Sequence, residues 1–144
     1  MDTKLLRHSQ GFQWNLGAWL GTIVGGTLWL LILGVLIFNR FGSTVAGSVS
    51  VASALLPNLI ALWLWRMRNR ISPYMAMQSV ILTMGICALT AILVIDAQGL
   101  INELDQLYGG FSAIYFALLI YPALMVQFWW LERQGGRPQE RSSE

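Results

Sequence analysis

Along the chain, long apolar runs are separated by short polar breaks. Four runs, residues 16–38, 45–65, 74–95 and 111–131, contain no Asp, Glu, Lys, Arg or His. A helix rising about 1.5 Å per residue needs roughly 20 apolar residues to cross a hydrocarbon core of roughly 30 Å, and each run is long enough. None alternates polar with apolar positions over about ten residues, as a barrel strand between lipid and a wet lumen must. The pattern predicts an all-α, polytopic integral membrane protein, a four-transmembrane-helix bundle in a single membrane domain.

The breaks carry their own signals. Ser72 and Pro73 precede the third run as N-cap and first helical residue, where a hydroxyl satisfies an orphan amide and a missing amide is not needed. Gly109 and Gly110 suit a turn into the fourth. Between runs three and four, Leu100, Ile101, Leu104, Leu107 and Tyr108 recur at helical spacing opposite Asn102, Glu103, Asp105 and Gln106. That spacing predicts a short amphipathic helix lying on the membrane surface, the alternative being a polar loop with a few apolar residues. Lys4 and Arg7 before the first run resemble a secretory leader, but the run outlasts an h-region of about 7 to 15 residues and no small-x-small site follows it. It reads as a retained first helix.

Charge adds direction. Of 144 residues, 56% are hydrophobic and 11% charged, with 9 Lys and Arg against 7 Asp and Glu; mean hydropathy is +0.57. Such a composition excludes a soluble globular enzyme and a disordered chain. With four spans, residues 1–15, the basic loop 66–73 and the tail 132–144 share one side, together with Lys4, Arg7, Arg66, Arg68, Arg70, Arg133, Arg137 and Arg141. Arg40 alone lies opposite, beside Asp96, Glu103 and Asp105 of the external acidic loop 96–110. The positive-inside rule then makes both termini cytoplasmic, and the expected location is a bacterial inner (plasma) membrane. Trp14, Trp19, Trp63, Trp65, Trp129 and Trp130 map to the same ends of the spans as an interfacial belt, leaving Trp29 deeper. The basic flanks point to anionic lipid headgroups, and no nucleic-acid partner is expected.

Candidate chemistry is sparse. One cysteine, Cys87, and one histidine, His8, exclude an intramolecular disulfide and any Cys or His cluster with metal-ligand spacing, so no cofactor or metal is expected. Asp96 reads as a helix-end surface charge. No span contains an ionisable acid or base, which argues against a proton relay. A neutral polar set remains. By distance from the arginine-bearing ends, Gln78 and Gln127 lie roughly 6 Å deep, Thr22 and Asn58 roughly 10 Å. They form either an interhelical hydrogen-bond layer or, with Arg66, a shallow site for a lipid headgroup or small polar ligand.

Two packing patterns stand out. Gly17, Gly21 and Gly25 make two overlapping GxxxG steps, and Ala46, Ser50 and Ala54 line the second run in the other half of the bilayer. The glycines therefore either receive Trp63 or Trp65 within the monomer or form an interface with a second copy or a partner. Pro57 and Pro122 each stand eight residues before an interfacial tryptophan. Laid over one another, these endings suggest duplicated hairpins with kinked second helices and freed carbonyls at Ser53 and Leu118.

Leu55-Leu-Pro-Asn58, followed by apolar residues and Trp65-Arg66, resembles the second-helix ending of the ATP synthase subunit I family, small four-span assembly proteins. The likeness spans residues 55–66. Met77 and Gln78 stand where that family carries Glu and Lys near the start of its third helix, so membership is not inferred. Nor does the chain look like small multidrug transporters, which carry a first-helix glutamate. The expected function is a non-catalytic accessory, assembly or partner-binding membrane subunit. The alternative is a small oligomeric transporter or channel for a polar or lipid-like ligand. No nucleophile–base pair suggests an enzyme.

Overall fold

The computed structural model describes residues 15–135, with side chains through Arg133. Lys4, Arg7, His8, Trp14, Arg137 and Arg141 lie outside the described residues. The fold is all-helical: α1 (Leu16–Phe41), α2 (Thr44–Arg66), α3 (Pro73–Ala97), α4 (Leu100–Tyr108), a 3-10 turn (Phe111–Ala113), α5 (Ile114–Ala117) and α6 (Ile120–Gly135). Four helical stretches, Leu16–Phe41, Thr44–Arg66, Pro73–Ala97 and Phe111–Arg133, are long and apolar enough to cross a membrane. This is a multi-pass integral membrane protein.

The helix ends follow local chemistry. Asn15 caps α1, its Oδ1 accepting from the amides of Gly17 and Ala18 at 2.9 and 3.2 Å. The first span runs past Phe38 to Phe41, because the earliest residue suited to leaving the helix is Gly42, left-handed at φ 62°. Ser43 then caps α2 by accepting from the Ala46 amide at 3.3 Å. A connection of only Gly42 and Ser43 makes α1 and α2 antiparallel neighbours. Ser72 caps α3 at the Met75 amide, with Pro73 opening the helix as expected.

Helix α3 is the hub, packing on α2, α1 and α6. Near the arginine-bearing end the core gathers Trp19, Ile23, Met77, Ile81 and Met84. At the other end Leu33, Ile37, Ile92 and Ile95 pack with Leu100, Ile101 and Leu104 of α4. The expected amphipathic helix therefore forms, and its inner face seals the bundle, while Leu107 and Tyr108 remain exposed. Gly99, left-handed at φ 72°, supplies the reversal that lets α4 fold back.

The fourth span departs from expectation, since residues 111–131 are not one continuous helix. Pro122 has no amide proton and would crowd the Leu118 carbonyl four residues back. The chain turns at Leu118 and Leu119, the Tyr121 amide reaching the Leu118 oxygen at 3.3 Å, and helix resumes at Ile120. Pro122 then lies in a first turn, where its missing donor costs nothing. Pro57, by contrast, is buried within an uninterrupted α2. The kink expected there is not a break, and the two prolines do not occupy equivalent places.

Candidate functional site

The three glycines of the GxxxG steps lie exposed along α1. A Cβ built at Gly21 or Gly25 would meet nothing within 4 Å, and one at Gly17 would meet only Oδ1 of its own cap residue Asn15. Neither Trp63 nor Trp65 fills this face. Trp65 packs obliquely on Trp19, ring centroids 6.0 Å apart, and Trp63 is exposed.

Other glycines serve the interior. At Gly34 a Cβ would sit 2.8 Å from Val51 Cγ2 and 3.1 Å from the Gly47 carbonyl; at Gly47 it would strike the Phe38 ring at 2.9 Å. The backbones of α1 and α2 thus approach most closely near their shared turn. Gly26 admits Met84 from α3, and Gly85 admits Tyr121 from α6. These four do not fall into a GxxxG run, so spacing alone could not find them. Ala46, Ser50 and Ala54 are buried as a stripe, with the Ser50 hydroxyl returned to the Ala46 carbonyl at 2.8 Å.

The polar positions do not assemble into one layer. Thr22 Oγ1 donates to its own helix at Ala18 O, 2.9 Å. Asn58 Nδ2 donates across to Thr27 Oγ1 at 2.9 Å and back to Ala54 O at 2.6 Å, while Thr27 Oγ1 donates to Ile23 O at 2.8 Å. Thr27 was missed because depth alone pairs Asn58 with Thr22. Counting outward from the tight turn at Gly42 and Ser43 brings Asn58 opposite Thr27. Gln78 Nε2 donates to the Met125 carbonyl at 2.9 Å, tying α3 to α6, and its Oε1 is buried with no partner. Gln127 and Arg66 are exposed.

A second polar node holds α6 from within. Trp29 Nε1 donates to the Gly26 carbonyl and the Tyr121 hydroxyl, both at 3.1 Å, and that hydroxyl donates to Gly26 O at 2.9 Å. Tyr121 is 2% exposed, seated between α1 and α3. Its only sequence mark was its place beside a mid-span proline.

The two ends differ in chemistry. The arginine-bearing end stacks cations on rings, with Arg68 5.5 Å above Trp65 and Arg133 3.8 Å above Trp129. The acidic end is stapled by hydrogen bonds. Tyr115 donates its hydroxyl to Asp96 at 2.7 Å, the Ser112 amide donates to Asp105 at 3.1 Å, and Ser43 donates to Gln98. Asp96 is thus a helix-end residue holding the segment that leads into the fourth span. No group of three or more His, Cys, Asp or Glu that could hold a metal occurs among the described residues.

Hollows follow the helix seams. Between α1 and α2 a hollow of about 380 Å³ runs from Trp19 and Trp65 to Asn58. Between α3 and α6 two hollows, of about 350 and 280 Å³, meet at Met125. No family model, curated protein or solved structure matches this chain.

Proposed function

We propose that the protein is a non-catalytic accessory or assembly subunit whose exposed glycine face on α1 receives a helix of another membrane protein. The observation that carries this reading is the contrast among the glycines. Gly26, Gly34, Gly47 and Gly85 each admit a neighbour inside the bundle, whereas Gly17, Gly21 and Gly25 have no neighbouring helix among the described residues. In lipid there is no hydrophobic drive between helices, so close backbone approach along small residues is a principal route to association. The Trp63 and Trp130 side chains, exposed at the arginine-bearing end, add aromatic surface for such a partner.

Charge placement supports a bacterial inner membrane with both termini cytoplasmic. Arg66, Arg68, Arg70 and Arg133 stand at one end of the bundle, and Asp96, Glu103 and Asp105 at the other. The glycine face favours partner binding over transport, since the polar side chains bond to separate partners and do not form a layer shared by the four spans.

Gly21→Leu tests the reading. Extracted gently from its native membrane, the wild-type protein is expected in a complex heavier than the 16.1 kDa chain, and the variant as a folded monomer. An unchanged complex would sink the proposal. Crosslinking from Gly25→Cys in a Cys87→Ser background then distinguishes another protein from a second copy.

A further inference from the structure

The seam between α3 and α6, like that between α1 and α2, is hollow in two places. Its two hollows share Met125 and form one lateral groove. Tyr74, Gln78, Val126 and Trp129 line the shallow part; Leu82, Gly85, Leu89 and Pro122 line the deep part. Gly85 admits Tyr121 of α6, and both line the deep part beside Pro122. From Gln78 to Leu89 the groove extends roughly 16 Å along α3. That matches one leaflet, half of a hydrocarbon core of roughly 30 Å.

A cation stands at its mouth. Trp129 forms one wall, and the Arg133 guanidinium lies 3.8 Å above that ring. Arg133 is exposed, so its donors are open to the headgroup region. Just below, Gln78 spends its amide donor on the Met125 carbonyl and leaves Oε1 buried with no donor. In hydrocarbon no water supplies one. Met125, which lines both hollows beside Gln78, is a flexible side chain able to give way.

We propose that this groove binds one anionic glycerophospholipid, its acyl chain along Gly85 and Pro122, its phosphate on Arg133 and a headgroup hydroxyl on Gln78 Oε1. Phosphatidylglycerol meets all three requirements. Phosphatidylcholine shares the chain and the phosphate but has no net charge and no donor. The proposal does not depend on the glycine face of α1.

Native mass spectrometry of the full-length protein, released from nanodiscs holding equal amounts of these two lipids with identical chains, reads the outcome. One retained phosphatidylglycerol is expected, favoured over phosphatidylcholine by about tenfold, the worth of one added hydrogen bond to the buried Gln78 oxygen. Arg133→Gln should weaken retention of both lipids, because the phosphate it contacts is common to them. Leu82→Trp, at a position 52% exposed, should plug the groove and abolish retention, as should Leu89→Trp. Leu59→Trp, on the lipid face of α2 and 64% exposed, should retain lipid as wild type does. Helicity by circular dichroism confirms that each variant is folded. Equal retention of both lipids, no retained lipid, or undiminished retention in Arg133→Gln and Leu82→Trp would overturn the proposal.

Discussion

The two long-helix pairs of this protein are built on opposite plans. Helices α1 and α2 are joined by Gly42 and Ser43 alone, meet backbone to backbone at Gly34 and Gly47, and share the Thr27–Asn58 hydrogen bond. Helices α3 and α6 are separated by α4, a 3-10 turn and α5, and they touch through Tyr121, Gln78 and a partly empty groove. Of an 18-residue apolar stretch in each span, 33–39% is buried in the first three and 6% in the fourth. A tight connection dictates register, so small residues near it can be used for contact. A long connection leaves register to a few anchors, and the fourth span stays exposed enough to bind lipid.

If that contrast is right, removing the chief anchor of the loose pair should have the largest effect. Tyr121→Ala loses a buried ring and the node with Trp29 and Gly26, and is expected to destabilise by about 3 kcal/mol. Hydrogen exchange should show α6 opening first while α1 and α2 stay protected. Protection lost equally in all helices would mean the pairs are not separate plans.

In the tight pair, Gly34→Leu forces a side chain into Val51 and the Gly47 carbonyl. A cost of about 2 kcal/mol is expected, measured by thermal unfolding in detergent. Asn58→Ala removes the buried cross-link to Thr27 and should cost about 1 kcal/mol, typical of a hydrogen bond between membrane helices. A double cycle with Thr27→Ala sharpens this: coupling between the two sites is expected, and simple additivity would show that the bond does not hold the pair. Smallest of all is Gly21→Leu, expected to shift stability by under about 0.5 kcal/mol because nothing lies near its Cβ. That near-zero value beside Gly34→Leu would show that two glycines of one helix serve different purposes.

Much of this was legible in the residues. The third span begins at the predicted Ser72–Pro73 cap, and the amphipathic spacing at Leu100, Ile101 and Leu104 does form α4. Those signals are local, and local backbone chemistry decides them. The candidate site was less legible. Thr22 and Asn58 share a depth yet bond to different partners, because depth does not specify which face of a helix meets its neighbour. Pro57 and Pro122 look alike in sequence. One is carried inside a helix packed on two sides, while the other, beside an anchor but otherwise unsupported, starts a new helix.

By itself, then, the order of residues determined the class, the count of spans, the Ser72–Pro73 cap of the third and the asymmetry of charge, all of which follow from transfer into lipid and from short-range hydrogen bonding. Only the tertiary structure decided which glycines are spent inside the bundle and which remain open, where Tyr121 inserts, and why the fourth span breaks. Those outcomes depend on the rotation of each helix about its axis, set by side chains distant along the chain that meet only when the bundle closes.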